Sequence, residues 1–252
     1  MDQKLGADTL LIIPCCAAKA PKGPVVGSYT DPLKDVVSQS AYAELLLARA
    51  NVLREVKRNP RFITDKYAKN AAILPEGEEF GGPFNPNRAA TYLPAISRYT
   101  GTLYSVPGLK AAIVQAVTDN CQPRIMILSA LYGPLHPMSQ IQDYNLKMSD
   151  APARVWSRSF PPFLEDYVAN NGITSLYLYV GSATAYFSIA REAAVRLLRK
   201  GLLRRAVQYH IEEGDTRTTP LQHGARLLSD LSGIANTGIL APDLVKTNAL
   251  CL

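Results

Sequence analysis

The sequence predicts an α/β fold: a three-layer α/β/α sandwich around a mostly parallel central sheet. Three apolar runs carry this reading, TLLIIP at 9–14, IMILS at 125–129 and SLYLYV at 175–180, each short and flanked by helical spacing. Continuous apolar runs of that length fit strands buried on both faces, as parallel sheets require. Strands that alternate with helical patterns imply βαβ units.

Each element follows from its residues. The 9–14 run is stopped by Pro14 and delivers Cys15, Cys16 and Lys19 to the next loop. Val36, Val37, Tyr42, Leu45, Leu46, Val52 and Leu53 recur at helical spacing over 35–56. Residues 59–87 have no clear period and end in LPEGEEFGGPFNPN, so an inserted loop or flap is expected there within one α/β domain over 1–252. An amphipathic helix over 109–117 leads to the 125–129 strand, whose end enters a polar, turn-rich segment. A helix pair broken at Pro161 and Pro162 is expected next, with Asp150 as its N-cap and Gly172 as its stop. After the 175–180 strand, GSATAY enters a helix with Ser182 as cap and Gly201 as terminator. A fourth strand over 204–211 presents His210 at its end, and a last helix covers 220–231. The polar residues that follow these strands gather at one edge of the sheet, where open α/β sheets bind ligands.

Composition narrows the function. With 47% apolar and 19% charged residues in 252, the chain is globular and needs no disulfide framework. Cys15 and Cys16 are adjacent, while Cys121 and Cys251 stand apart, so there is no metal-ligand spacing and no expected metal. A reducing, cytoplasmic setting follows, and no run approaches the 18 or so apolar residues of a membrane span. GSATAY is neither a dinucleotide fingerprint nor a P-loop, and no cofactor is expected. Lys and Arg outnumber Asp and Glu 27 to 21, giving a net charge of +6. That excess suits a polyanionic partner, DNA, and equally an ordinary basic enzyme.

The segment LSALYGPLHPMSQIQDYNLKMSD resembles the "LSGLYG.LRPLD.I.PYRLEMG" stretch of the YaaA peroxide-stress proteins. PAISRYTGTLY, IIPCCAAK and VGSATAYFSIAREA resemble three further stretches of that family in the same order. These proteins in turn resemble the uracil-DNA-glycosylase-like α/β domains. Three departures are visible: Asp143 stands where the family has proline, Cys15 and Cys16 replace a Ser-Pro pair, and the 62–83 insertion has no counterpart. The glycosylase motifs GQDPYH and HPSP are absent.

The resemblance implies nucleic acid and N-glycosidic chemistry, and so a DNA glycosylase. It would release a damaged or modified base, hypermodified phage-type bases included, in repair or in defence against foreign DNA. Such a site needs a carboxylate or positioned water near C1′, a donor for the departing base and an aromatic surface for a flipped nucleotide. Asp143 is the expected carboxylate, or else a turn residue. His136 or Lys19 is the expected donor, with loop capping the alternative for His136 and a Schiff-base amine the variant for Lys19. Tyr144 or Tyr104 would stack, with Cys15, Cys16, Ser129, Tyr132 and Ser182 around the substrate. The two thiols fit core packing as well. Arg98, Lys147, Arg154 and Arg158 would grip phosphates or form a solvated face. The densest basic cluster is Arg196, Arg199, Lys200, Arg204 and Arg205. Two alternatives stay open: a non-catalytic DNA-binding stress protein of YaaA type, and an enzyme acting on nucleosides or modified transfer RNA. A monomer is expected.

Overall fold

The computed structural model describes residues 5–24, 30–73, 92–119, 122–211, 218–232 and 245–250. β1 (Thr9–Pro14) lies mid-sheet, parallel to β3 (Arg124–Ser129) on one side and β6 (Ser175–Leu178) on the other. β7 (Arg205–Ile211) continues the parallel set beyond β6. Two antiparallel edges complete the order β4-β3-β1-β6-β7-β8: β4 (Gly133–Leu135) folds back on β3, and β8 (Val245–Ala249) pairs with β7. A separate pair joins β2 (Leu93–Pro94) to β5 (Gln140–Ile141).

Leu10, Leu11, Ile12 and Ile13 are all fully buried, so successive residues pointing to opposite faces are covered alike. Burying each contributes about 1.5–3 kcal/mol, and the strand's place is fixed by that rather than by its edges. The cover comes from two sets of helices. α1 (Gln39–Arg58) packs on α5 (Trp156–Asn170), and α5 packs on α6 (Ala185–Arg199). The second set is α3 (Ala95–Arg98), α4 (Leu109–Thr118) and α7 (Thr218–Ser232), with α4 between the other two. α1 starts at Ser38, whose hydroxyl accepts from the Ala41 N–H at 3.2 Å.

Several expectations change. Pro161 and Pro162 do not break a helix pair, because α5 runs straight through them after a 3-10 turn at Ala151–Val155. Each proline lacks the N–H that would bond the carbonyl four residues back, on Ser157 and Arg158, and both of those residues are exposed and open to water. Asp150 precedes the turn but does not cap it. Its carboxylate accepts instead from the Lys147 N–H at 2.7 Å and from the Tyr67 hydroxyl at 3.0 Å. Thr184, not Ser182, caps α6, accepting from the Phe187 N–H at 3.3 Å. β4, β5 and β8 lie where no strand was expected.

The start of the expected flap is folded. Pro60–Phe62 and Asp65–Tyr67 are 3-10 turns, and α2 (Asn70–Ile73) follows. Asn70 accepts from the Asn145 N–H at 2.8 Å and donates to the Asn145 and Phe62 carbonyls at 2.6 and 2.9 Å. This stretch is thereby fastened to the 143–150 segment. The glycine- and proline-rich part at 74–87 lies outside the described residues, as do Cys121 and Cys251.

One buried ion pair joins the helices to the hairpin of β3 and β4. Arg49, on α1, donates to Asp31 at 2.7 Å and to the Tyr132 and Pro134 carbonyls at 2.9 and 3.0 Å. Asp31 also accepts from the Ser139 hydroxyl at 3.0 Å and the Leu33 N–H at 3.2 Å. At the turn of that hairpin Gly133 adopts φ +67°, and the indole of Trp156 occupies the space a Cβ would need.

Candidate functional site

The chain leaves β1 toward β3 and leaves β6 toward β7, so the strand order reverses between β1 and β6. In open α/β sheets ligands bind beyond the carboxyl ends of the strands at that reversal. Here Pro14 and Cys15 end β1, and Gly181 and Ser182 follow β6. Between them and the end of β7 lies a cavity of about 380 Å³. That is within the size range of small-molecule sites, roughly 300–1,000 Å³.

Beside the cavity runs a buried chain of hydroxyls and a thiol. The Ser129 and Tyr144 hydroxyls are 2.8 Å apart, Tyr144 and Tyr99 2.9 Å, and Tyr144 donates to Cys15 Sγ at 3.4 Å. Cys15 Sγ meets the Tyr186 hydroxyl at 3.0 Å. Burial pushes the phenols of Tyr99, Tyr144 and Tyr186 well above their ordinary value, so all three stay protonated donors. Tyr104 donates to the Pro14 carbonyl at 2.7 Å and holds the end of β1 in place. Tyr132 meets Tyr144 edge-on at 5.4 Å, and its hydroxyl accepts from the Gln142 N–H at 3.1 Å.

Lys19 is buried with its ammonium 4.0 Å from the centre of the Tyr144 ring, donating to the Cys16 carbonyl at 2.9 Å. Burial lowers its pKa, while the neighbouring thiols and Asp143 oppose the shift. Cys16 is raised chiefly by burial, and its Sγ accepts from the Gly101 N–H at 3.2 Å. Asp143 pairs with Lys69 at 2.7 Å through Oδ2, and its buried Oδ1 has no partner among the described residues.

The structure thus gathers Cys15, Ser129, Tyr144 and Lys19, with Tyr104, Tyr132 and Cys16 around them. Ser182 sits apart from that group, on the cavity rim. Two expectations are corrected. His136 follows β4, which runs back toward the start of β3, and its Nδ1 accepts from the Met138 N–H at 3.1 Å. Burial lowers its pKa to about 4, with Asp31 opposing and Arg124 assisting, so it is a neutral turn cap, and it does not line the cavity. Arg98 is fully buried and donates to the Ala20, Lys22 and Ile141 carbonyls at 2.6, 2.6 and 3.2 Å, leaving it no access to a phosphate.

Lys147, Arg154 and Arg158 are exposed. Only Arg158 joins a basic groove, between α5 and α6, with Arg191, Arg196, Arg199 and Lys200, and Ser182 lines both this groove and the cavity. Arg196 and Lys200 are paired with Glu165. Arg204 and Arg205 lie beyond the groove, at the start of β7, where Arg205 covers the Tyr177 ring at 5.4 Å.

Sequence reasoning missed Tyr186, Gln208, Thr219 and His223 on the cavity wall. Of that wall, Cys15, Ser182 and His210 had a signal beforehand, each from its place at or just after a strand end. His223 donates from Nε2 to the Tyr209 carbonyl at 2.9 Å, and burial lowers its pKa to about 4, aided by His210. With a folded value below the ordinary 6.5, His223 and His136 contribute stability that is full above pH 6.5 and is lost as pH falls toward 4. The urea midpoint should therefore drop across that window. His223→Gln, which keeps an N–H for Tyr209, should reduce the slope by up to about 1.4 kcal/mol per pH unit. An unchanged slope in this variant would remove His223 from the account.

Among the described residues no group of three His, Cys, Asp or Glu side chains converges to hold a metal ion. Nor is any described helix long and apolar enough to cross a membrane.

The pattern of the family described as "Peroxide stress protein YaaA" matches residues 28–195, two thirds of the chain. The chain belongs to the YaaA peroxide stress protein family. A UPF0246 protein of Idiomarina loihiensis is 33% identical over 139 residues, 51% of this chain and 50% of that protein, so the match spans about half of that relative. A UPF0246 protein of Cereibacter sphaeroides is 29% identical over 210 residues, 77% of this chain and 70% of that protein. The YaaA match takes in the hydroxyl chain from Tyr99 to Tyr186, but β1 with Cys15 and Lys19, and the β7–α7 side of the cavity, lie outside it.

Proposed function

We propose that this YaaA-family protein is a non-catalytic DNA-binding protein that holds the duplex backbone along the α5–α6 groove. The observation that carries the reading is the exposure of Arg158, Arg191 and Arg199 on one groove, with no acidic partner to any of them among the described residues. Glu192 shares the groove and offsets part of that charge. Phosphates that displace condensed counterions there drive binding without reading sequence. The same reading takes the sheet with its two sets of helices as a three-layer, uracil-DNA-glycosylase-like domain. It places the protein in the cytoplasm as a monomer.

Base excision has weaker support. None of Asp143, His136 and Lys19 lines the cavity, Asp143 is ion-paired and His136 caps a turn.

The test is duplex affinity by fluorescence anisotropy between 50 and 200 mM salt, for the wild type and for Arg158→Gln/Arg191→Gln/Arg199→Gln. Removing three phosphate contacts should flatten the slope of log K against log salt by about 2.7. Mass spectrometry of modified and unmodified DNA should find no released base. An unchanged slope would overturn the groove, and released base with abasic sites would overturn the non-catalytic reading.

A further inference from the structure

The cavity between β1, β6 and β7 has a chemical character of its own, distinct from the basic groove beside it. Among its described lining residues there is no Asp, Glu, Lys or Arg. A charged group brought inside would lose its hydration without a counter-ion, which costs several kcal/mol. The described walls therefore favour a neutral group. Pro14, Leu103 and Pro220 give the cavity apolar wall, and Tyr186, Tyr209 and His210 give it aromatic surface. Flat apolar and aromatic walls favour a planar, stacking ligand.

Hydrogen-bonding groups are spread among these walls. Gln208 donates one amide N–H to the Val180 carbonyl at 3.2 Å, which fixes the side chain in place at the cavity. Thr184 donates to the Gly181 carbonyl at 2.7 Å, which orients its hydroxyl oxygen, and the Ser182 and Thr219 hydroxyls lie on the same lining. Amides and hydroxyls are the groups that pair with the mixed donors and acceptors of a heterocycle's edge. His223 adds a wall that is neutral near pH 7 and held by Tyr209.

The third observation is position. Ser182 belongs to the cavity lining and to the groove that holds Arg158 and Arg191. A ligand with a neutral planar part and an anionic part can place the first in the cavity and leave the second among arginines in water. Nucleotides have that division.

We propose that this cavity is a nucleobase site, filled either by a free nucleoside or by an extrahelical base of DNA held along α5–α6. Only the second source rests on the DNA-binding reading.

The test uses the full chain and two obstructing variants. Ala183→Trp acts from the exposed rim after β6, and Thr219→Trp from the wall that α7 provides, with thermal melts to confirm folding. Adenosine, guanosine, cytidine and thymidine are titrated by calorimetry. In parallel, a duplex carrying one unpaired base opposite an abasic site is compared with its fully paired counterpart by anisotropy. The wild type should bind at least one nucleoside, or prefer the duplex with the unpaired base by tenfold or more. Both variants should lose that binding or that preference by a similar factor. Nucleoside binding alone identifies the free metabolite as the source, and duplex preference alone identifies DNA. The proposal is overturned if the wild type shows neither, or if both folded variants match it. Because the nucleoside arm needs no DNA, it stands even if the arginine variant leaves the salt slope unchanged. Conversely, a lost cavity signal leaves the groove untouched.

Discussion

Arg49→Ala is expected to destabilise the fold by about 3–5 kcal/mol, the usual cost of stranding one partner of a buried ion pair. Arg49 and Asp31 are 1% and 2% exposed, so removal of the guanidinium leaves a carboxylate with no water to replace it. Two carbonyls of the β3–β4 hairpin, those of Tyr132 and Pro134, lose their donors at the same time. Urea unfolding followed by tyrosine fluorescence and circular dichroism measures the change. Arg49→Met should be nearly as damaging. Arg49→Met/Asp31→Asn should recover part of the loss, because the uncompensated charge has gone while the Ser139 and Leu33 bonds to residue 31 can persist. A loss below about 1 kcal/mol for Arg49→Ala would show that the pair is not the anchor of the hairpin.

Gly133→Ala is the second large effect, expected at about 2–5 kcal/mol from two sources. The left-handed backbone at φ +67° costs an L-residue about 1–2 kcal/mol. A new Cβ would also collide with the indole ring of Trp156. That ring cannot simply retreat, since it is fully buried and its Nε1–H is bonded to the Ala130 carbonyl at 2.9 Å. Overpacking of this kind costs roughly 1–3 kcal/mol more. Gly172→Ala and Gly201→Ala separate the two sources. Both have positive φ, at +62° and +69°, but nothing within 4 Å of the added carbon, so only the backbone strain should appear. Equal losses at all three positions would remove Trp156 from the explanation.

The strands legible in the sequence were those covered on both faces. The runs at 9–14 and 125–129 needed only an apolar, β-branched pattern, and β1 and β3 occupy them nearly residue for residue. β4 and β5 were not legible because two or three residues show no period, and VKTNA on the β8 edge carries no apolar alternation. α5 was misread because proline signals a break, and nothing local says that Phe160, Phe163 and Leu164 will be buried firmly enough to hold the helix together. In the candidate site, Cys15 and Ser129 were singled out because they end buried strands, and Tyr144 because it lies in the polar segment that follows one. Arg98 and His136 misled for the opposite reason. A charged or titratable residue looks solvent-facing until the carbonyls and N–H groups that engage it, tens of residues away in the case of Ala20 and Arg98, are in place. The cavity itself is assembled from β1, β6, β7 and α7, and no window of sequence contains it.

The central position of β1 also has a consequence in time. Leu10 pairs with Arg124 on one side and with Leu176 on the other. During synthesis at roughly 5–20 residues per second, the most apolar strand waits about 6–23 s for its first partner to be made. For that interval LLII has neither ladder neighbours nor its full helical cover. The order in which this chain leaves the ribosome therefore makes its best-buried segment in the finished protein the one most exposed to misassociation beforehand.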